Sequence, residues 1–400
     1  MISVESAIDL IVQNAGTQPI EDISLAEAMG QTLAEPVSAD IDSPPFDKSL
    51  MDGYAIRVAD LANGRGSLIK AGEVYAGQPA GPSLLPGQAI QIMTGAAIPL
   101  GADAVVMIER TQSAGDQIML DDPELMLGQN IMKKSLEFAR DETLLWPGHT
   151  IGPAEAGLLA SVGKIRIQIF RPVTISILST GNEIVPPSQY PQPGQIRNSN
   201  ASTLDASIRR VHAKPIPLGI AGDDEKELAD KIEQGLSADV LVLSGGVSAG
   251  KKDLVPKTLL SLGVEQIFHG VAFKPGKPLW FGKRGESLVF GLPGNPVSVL
   301  ACFEVFIKTA LRARCQHPHL KPIPWRLPLA IPFDYSTRRP TYHPARIEPS
   351  QAGLFVRPVS WKGSPDLRAL TEANALLMVP AGDGPYPAGT LFDTLPIHHA

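Results

Sequence analysis

At 400 residues, 44% hydrophobic and 19% charged, the chain has material for roughly two to four globular domains with buried cores. A formal net charge of −6 argues against general nucleic-acid binding, so an anionic ligand needs a locally positive pocket. The 2 cysteines, Cys302 and Cys315, give neither a disulfide framework nor a Cys/His zinc pattern. The first residues lack the basic and apolar regions of a signal peptide, and no run of about 18 apolar residues predicts a membrane span. The expected compartment is the cytoplasm.

In chain order, residues 2–35 read as helical. Ser3 can cap a helix over Ala7, Leu10 and Ile11, and Ser24 another over Leu25, Ala28 and Met29. From residue 36 the texture changes to short apolar runs between Gly/Pro turns, such as Ala89–Met93 and Ala104–Ile108. A short helix over Ala154–Val162 and a strand over Lys164–Ile169 follow. From about residue 170 strands and helices alternate: strands at Val173–Leu178, Ile216–Ile220, Val240–Leu243 and Ser287–Gly291, helices at Ala201–Val211, 223–236 and from Pro296 to about Arg314. That alternation predicts a mostly parallel, helix-covered sheet. Beyond His317 prolines are dense and strands short. The expected fold is therefore multidomain α/β plus β. It comprises a discontinuous N-terminal domain (1–40 and 138–168), an inserted β-rich domain (41–137), a parallel-sheet α/β domain (169–321) and a small C-terminal β-barrel-like domain (322–400).

Three strand ends carry the chemistry: Ser179–Glu183, Ser244–Asp253 and Leu292–Pro296. Ligands of open α/β sheets gather at the carboxyl ends of strands. In Ser244-Gly-Gly-Val-Ser-Ala-Gly250 the glycines let backbone N–H groups approach a phosphate, and Lys251, Lys252 and Asp253 follow at once. An ordinary strand-to-helix turn explains the same glycines. Asn295 before Pro296 reads as an N-cap with proline at the first helical position, or as an anion-binding helix start. Lys274 and Lys277, flanked by prolines, are either fixed cations aimed at an oxyanion or solvated surface lysines. Glu183 is a turn residue or a metal-binding carboxylate. Asp223 and Asp224, and Ser199 or Asn200, read first as helix caps. In the inserted region, Asp47-Lys-Ser-Leu-Met-Asp-Gly-Tyr-Ala55 combines charges with Met51, Gly53 and Tyr54, a mixture that a surface turn seldom needs, and Met93-Thr-Gly-Ala96 ends a strand with a hydroxyl at Thr94.

Taken with Leu178-Ser-Thr-Gly-Asn-Glu183, Ser244–Gly250, Lys274-Pro-Gly-Lys-Pro278 and Gly291-Leu-Pro-Gly-Asn-Pro296, these segments resemble, in order, the MoeA family. These are the molybdopterin molybdenumtransferases, related to the C-terminal domain of gephyrin and to the plant molybdenum-insertion domain. The resemblance implies insertion of molybdenum from molybdate into adenylylated molybdopterin, with Mg²⁺ assisting and AMP released. It implies a homodimer of elongated four-domain subunits, with the α/β domain of one subunit facing the inserted domain of the other. A molybdopterin adenylyltransferase acts upstream.

By the same resemblance Asp52, Thr94, Glu183 and Asp253 are the catalytic candidates, and Glu183, Asp224 and Asp253 the metal ligands, with Asp223 beside them. Ser179, Gly181, Ser199, Asn200, Gly245, Gly246, Ser248, Pro293, Gly294, Asn295, Pro296 and Ser364 would hold the pterin substrate. Lys274 and Lys277 would attract molybdate or phosphate. The chain departs from the family at Asn182, where an aspartate is usual, and at Lys133 and Lys134, where arginines are usual, with Glu137 standing in for an aspartate. It departs again near Tyr342–Ile347, where His343 or Arg346 would replace a displaced arginine. These departures motivate an alternative, a non-catalytic molybdopterin carrier or scaffold. A weaker one is a sister enzyme using tungstate.

Overall fold

The computed structural model describes residues 1–247 and 254–397. The predicted site residues Ser248 and Asp253 lie outside the described residues. The chain divides into two compact units, one of residues 1–35, 147–156 and 166–400, the other of residues 36–146 and 157–165.

The first unit is built on a 6-stranded sheet. Its strands run Lys214–Ala221, Thr174–Thr180, Val240–Ser244, Ser287–Leu292, Trp280–Arg284 and Glu265–His269 across the sheet. The first four are mutually parallel, and the last two join antiparallel. Alternate residues face opposite sides of a strand, so both faces must be apolar when helices cover both. Ile175, Ile177, Val240, Val242 and Phe290 enter one buried cluster, and Leu178, Leu241, Leu243 and Val289 enter another. This explains why Val240–Ser244 is an unbroken apolar run ending in one serine.

The helix Val4–Asn14 is capped by Ser3, whose hydroxyl accepts from the Ser6 N–H at 3.0 Å. Its buried stripe, Val4, Ala7, Ile8 and Ile11, belongs to the same cluster as the α/β sheet. The long C-terminal helix of this region starts at Pro296, passes through one π-helical turn at Phe303–Ile307 and continues over Lys308–Arg314. The buried Glu304 lies in that turn, paired with Arg210 and with Lys308.

Residues 322–397 form a 5-stranded antiparallel sheet in the order Trp325–Pro328, Leu391–Pro396, Ala375–Val379, Thr341–Ser350, Gly353–Pro358. Its two edges approach each other where Ala330 N–H donates to the Val356 carbonyl at 2.9 Å and Leu329 bridges Val356. This near-closure makes it barrel-like and covers the edge strands.

The second unit carries its own 6-stranded sheet, ordered Ala104–Met107, Gly53–Ile56, Gln88–Ile92, Arg65–Val74, Gln117–Asp121, Thr111–Ala114. Tyr54, Ile56 and Val106 pack on one face, Ala55, Ile90 and Val105 on the other.

Three local expectations are corrected. Ser24 caps no α-helix: Ile20–Ser24 is a strand paired with Arg166–Phe170, followed by a single 3₁₀ turn at Leu25–Glu27. Only Ala28 of that apolar set is buried, too small a stripe to hold a helix against the pull of sheet hydrogen bonds. The cap of helix Ser199–Arg210 is neither Ser199 nor Asn200 but Asn198, whose side chain accepts from the Ala201 N–H. Asn295 occupies the N-cap position of its helix without capping it through its side chain.

Candidate active site

The three predicted loops leave neighbouring parallel strands. Register pairs Ser179 with Ser244, and Ser244 with Leu292, so the loops start side by side. Their uncharged first residues form a platform held by short polar contacts. The hydroxyls of Ser179 and Ser244 lie 3.2 Å apart, and Ser179 Oγ also donates to Asn198 Oδ1 at 3.2 Å. Gly245 N–H donates to the Leu292 carbonyl at 3.0 Å. Gly245 has φ +96°, and a Cβ there would stand 2.6 Å from the Thr180 carbonyl oxygen. Only glycine fits, which is the local reason for the Ser-Gly-Gly sequence. Gly246 follows against Thr180 and Val255, and Gly294 approaches Gly245 from the third loop.

Asn200, in the first turn of its helix, donates from Nδ2 to the Gly294 carbonyl at 2.7 Å. Its Oδ1 and the Thr180 hydroxyl are buried without a partner among the described residues. Buried polar atoms left open beside glycine turns suit a ligand that brings donors of its own. Ser199 is half-buried at the first turn of the same helix.

A cavity of about 450 Å³ adjoins the third loop. Lys274, Lys277 and Arg339 line it together with Tyr335, Trp361 and Ser364, and among the described residues none that lines it is acidic. Local stitching explains the convergence. Lys274 N–H donates to the Pro340 carbonyl at 3.0 Å and Tyr342 N–H to the Lys274 carbonyl at 2.7 Å, which sets Arg339 beside the Lys-Pro-Gly-Lys-Pro segment. Lys274 Nζ donates to the Tyr335 hydroxyl at 2.9 Å and lies 5.1 Å from that ring's centre and 6.0 Å from that of Trp361. Among the described residues the Arg339 guanidinium reaches the Phe273 carbonyl, at 3.5 Å. Lys274 and Arg339 are held by rings and a carbonyl and Lys277 is exposed, and with no carboxylate lining the space among the described residues they leave net positive charge for an oxyanion.

Ser364 ties this cavity to the long helix. Asn295 Nδ2 donates to Ser364 Oγ at 2.9 Å, and Val297 N–H to the Ser364 carbonyl at 3.1 Å. The Asn295 amide is thus used as a donor across the site, which is why it does not cap. Pro293 is buried beneath the turn and Pro296 opens the helix.

The expected replacements for the displaced arginine are corrected here. His343 is buried among Phe333, Tyr335 and Trp361, and burial pushes its pKa down to about 4, so it stays neutral. Arg346 is exposed and leans on the Glu372 carbonyl. Neither lines the cavity; Arg339 does. Sequence reading missed Arg339, Tyr335 and Trp361. The available signal was the Arg338-Arg339-Pro340 run just upstream of the stretch searched.

In the second unit, Asp52 Oδ1 accepts from both the N–H and the hydroxyl of Thr94, each at 2.7 Å. The Thr94 N–H first, then its hydroxyl, hold the exposed Asp52 carboxyl below its ordinary pKa. Gly53 makes this possible: a Cβ there would stand 1.9 Å from the Val106 carbonyl oxygen. Lys133 pairs with Asp47 at 2.7 Å, Lys134 with Asp42 at 2.9 Å, and Glu137 accepts from Ser43.

The predicted metal carboxylates differ in their commitments. Asp224 caps its helix by accepting from the Glu227 N–H at 2.7 Å. Asp223 accepts from Asn182 Nδ2 at 2.9 Å and returns its N–H to Asn182 Oδ1 at 3.0 Å, so Asn182 serves as a brace for this turn. Glu183 is exposed beside Gly181. Among the described residues no group of three metal-ligating side chains converges. Mg²⁺ commonly takes one or two protein carboxylates, completing its shell with water and substrate phosphate, and an exposed Glu183 at a strand end fits that donor set. Among the described residues no helix is long and apolar enough to cross a membrane.

Comparison with known proteins gives consistent matches along the chain. The family model "MoeA N-terminal region (domain I and II)" matches residues 2–163, "Probable molybdopterin binding domain" residues 176–313, and "MoeA C-terminal region (domain IV)" residues 326–397. A molybdopterin molybdenumtransferase of Bacillus subtilis is 32% identical over 408 residues, covering 98% of this chain and 94% of its own length. Another, from Haemophilus influenzae, is 31% identical, covering 95% of this chain and 94% of its own. The crystal structure of a molybdopterin biosynthesis MoeA protein from Pyrococcus horikoshii superposes with a TM-score of 0.85 at 28% identity, covering 99% of this chain and 100% of that one.

Proposed function

Because the chain belongs to the MoeA family of molybdopterin molybdenumtransferases, we propose that it inserts molybdenum from molybdate into adenylylated molybdopterin, with hydrolysis of the adenylate and release of AMP. The observation that carries this reading is the cavity of Lys274, Lys277 and Arg339, with no acidic lining residue among the described residues, next to a glycine-turn platform with open polar atoms. Molybdate is a tetrahedral dianion, and three cations on a chain of net charge −6 are a means of selecting it.

In this mechanism Ser179, Gly181, Gly245, Gly246 and Asn200 bind and orient the pterin substrate, with Ser199 and the Pro293–Pro296 turn at its edge. Lys274, Lys277 and Arg339 hold the oxyanion, and Ser364 offers it a hydroxyl. Glu183, with Asp224 and Asp253, would hold Mg²⁺, whose chemistry is to neutralise phosphate charge. Asp52, ionised at neutral pH, is the acceptor for a proton or a substrate N–H, and Thr94 orients it. The four-part domain division, a homodimer, an upstream molybdopterin adenylyltransferase and a cytoplasmic setting complete the reading.

The test is turnover. Purified protein given adenylylated molybdopterin, molybdate and Mg²⁺ should release AMP and yield active cofactor. No turnover above an Asp253→Ala control would sink the proposal, and pterin binding without AMP release would make the chain a carrier.

A further inference from the structure

A second cavity, of about 240 Å³, lies within the first unit and shares no lining residue with the cationic one. Phe170, Val173, Val211 and Leu311 give it apolar wall. Its charged lining residues, Lys308 and Arg312, are both cations, and among the described residues no carboxylate lines it. Lys308 is committed, since its Nζ donates to the buried Glu304 at 2.8 Å. Arg312 is not. It is half-buried, burial lowers its pKa, Glu304 acts on it only through space, and its guanidinium donates to the Lys321 carbonyl at 3.2 Å. Among the described residues it forms no ion pair. A guanidinium withdrawn from water without a carboxylate carries a desolvation cost that an incoming anion offsets.

Two imidazoles add fixed polar groups. The His212 ring is wedged against Gly30, where a Cβ would come within 2.2 Å of it. His317 Nδ1 is held by the His319 backbone, 3.0 Å from its amide nitrogen and 3.1 Å from its carbonyl oxygen. Burial, ahead of repulsion by Arg312, lowers the pKa of His317, so the ring is neutral at neutral pH. Burial pushes the Cys315 thiol up to about 11, so it stays protonated and uncharged at neutral pH.

We propose that this cavity is a second anion site, one that takes a small organic monocarboxylate with an apolar ring or branched body. The carboxylate pairs with Arg312 and the body fills the wall of Phe170, Val173 and Leu311. The volume falls below that of typical cofactor pockets, about 300 Å³ and upward, which excludes a nucleotide or an intact pterin phosphate.

Benzoate, with neutral benzamide and inorganic phosphate as comparisons, is the probe, followed by ligand-observed NMR and thermal unfolding of the full chain. Benzoate should bind and raise the melting temperature, and the other two should not. Arg312→Gln should weaken benzoate binding about tenfold, the value of one charge-assisted hydrogen bond, with Arg312→Lys in between. If Arg312→Gln misfolds, Val173→Trp, which fills the cavity and keeps the charge, should abolish binding instead. Equal binding of benzoate and benzamide, no binding at about 10 mM, where even a millimolar site would be mostly occupied, or loss with Arg339→Gln but not with Arg312→Gln would each overturn the proposal.

Discussion

The strand-end platform and the cationic cavity share the Leu292–Pro296 turn but work by opposite means. The platform is neutral and mostly buried, and its specificity lies in backbone shape: Gly245 against Thr180, Gly294 against Gly245, and hydroxyls aligned by sheet register. The cavity's specificity lies in charge that no lining carboxylate among the described residues cancels. The difference teaches that one site can separate the recognition of an organic scaffold from the capture of an inorganic oxyanion. Changes to the first should then cost stability and substrate affinity, and changes to the second should cost oxyanion use.

The largest expected effect comes from the cavity. Lys274→Ala combined with Arg339→Gln should reduce turnover on the order of a thousandfold, with the melting temperature nearly unchanged, since preorganised charges are worth that much at an anionic centre. Initial rates at varied molybdate check it, and a fall in stability without a loss of molybdate saturation would break the comparison.

The platform gives the next. Gly245→Ala places a methyl group against the Thr180 carbonyl at a left-handed φ and should cost about 3 kcal/mol in urea unfolding. Asn200→Ala, which removes the bond to Gly294, should cost about 1 kcal/mol and raise the KM for the pterin substrate more than that for molybdate.

Between the two lies His343, in the aromatic floor that holds Lys274. Its folded pKa of about 4 lies below the unfolded value, so the unfolded chain binds the proton first. Its contribution is intact above the unfolded pKa and is lost as pH falls toward the folded one. Stability measured from neutral pH down to about pH 5 should decline roughly 2 kcal/mol less in His343→Phe than in the parent. Equal declines would show that the ring is not buried neutral.

The smallest expected effect concerns Asp52. Its pKa is held down by Thr94, so it stays charged until the pH falls below the ordinary carboxylate range. The ratio of Asp52→Asn activity to parent activity should therefore be the same at about pH 6 and about pH 8, both well above the reference carboxylate value. A ratio that changes across that interval would place a different group in control of the proton.

Much of this was legible in the sequence because local signals and tertiary contacts agreed. Val240–Ser244 reads as a buried strand since both faces of its sheet are covered, and the glycines after it are required by the Thr180 carbonyl. Ile20–Ser24 was misread because its partner, Arg166–Phe170, is more than a hundred residues away and no local pattern reports that pairing. The capping of Asn295 was misread, and Arg339 missed, for the same kind of reason. Asn295 is at a cap position by pattern, yet its amide turns to Ser364, 69 residues on. Arg339 reaches the cavity only because Pro340 and Tyr342 bond to Lys274. Composition placed charge in the chain, but which cations share a pocket depends on contacts between distant segments.

The central claim is that the Lys274, Lys277 and Arg339 cavity captures molybdate. Equilibrium dialysis of purified protein against molybdate, with metal content read by mass spectrometry, tests it directly. The account predicts saturable binding at one site per chain, abolished in Lys274→Ala/Arg339→Gln and unaffected by Arg312→Gln. Undiminished molybdate binding in the Lys274→Ala/Arg339→Gln protein would contradict it.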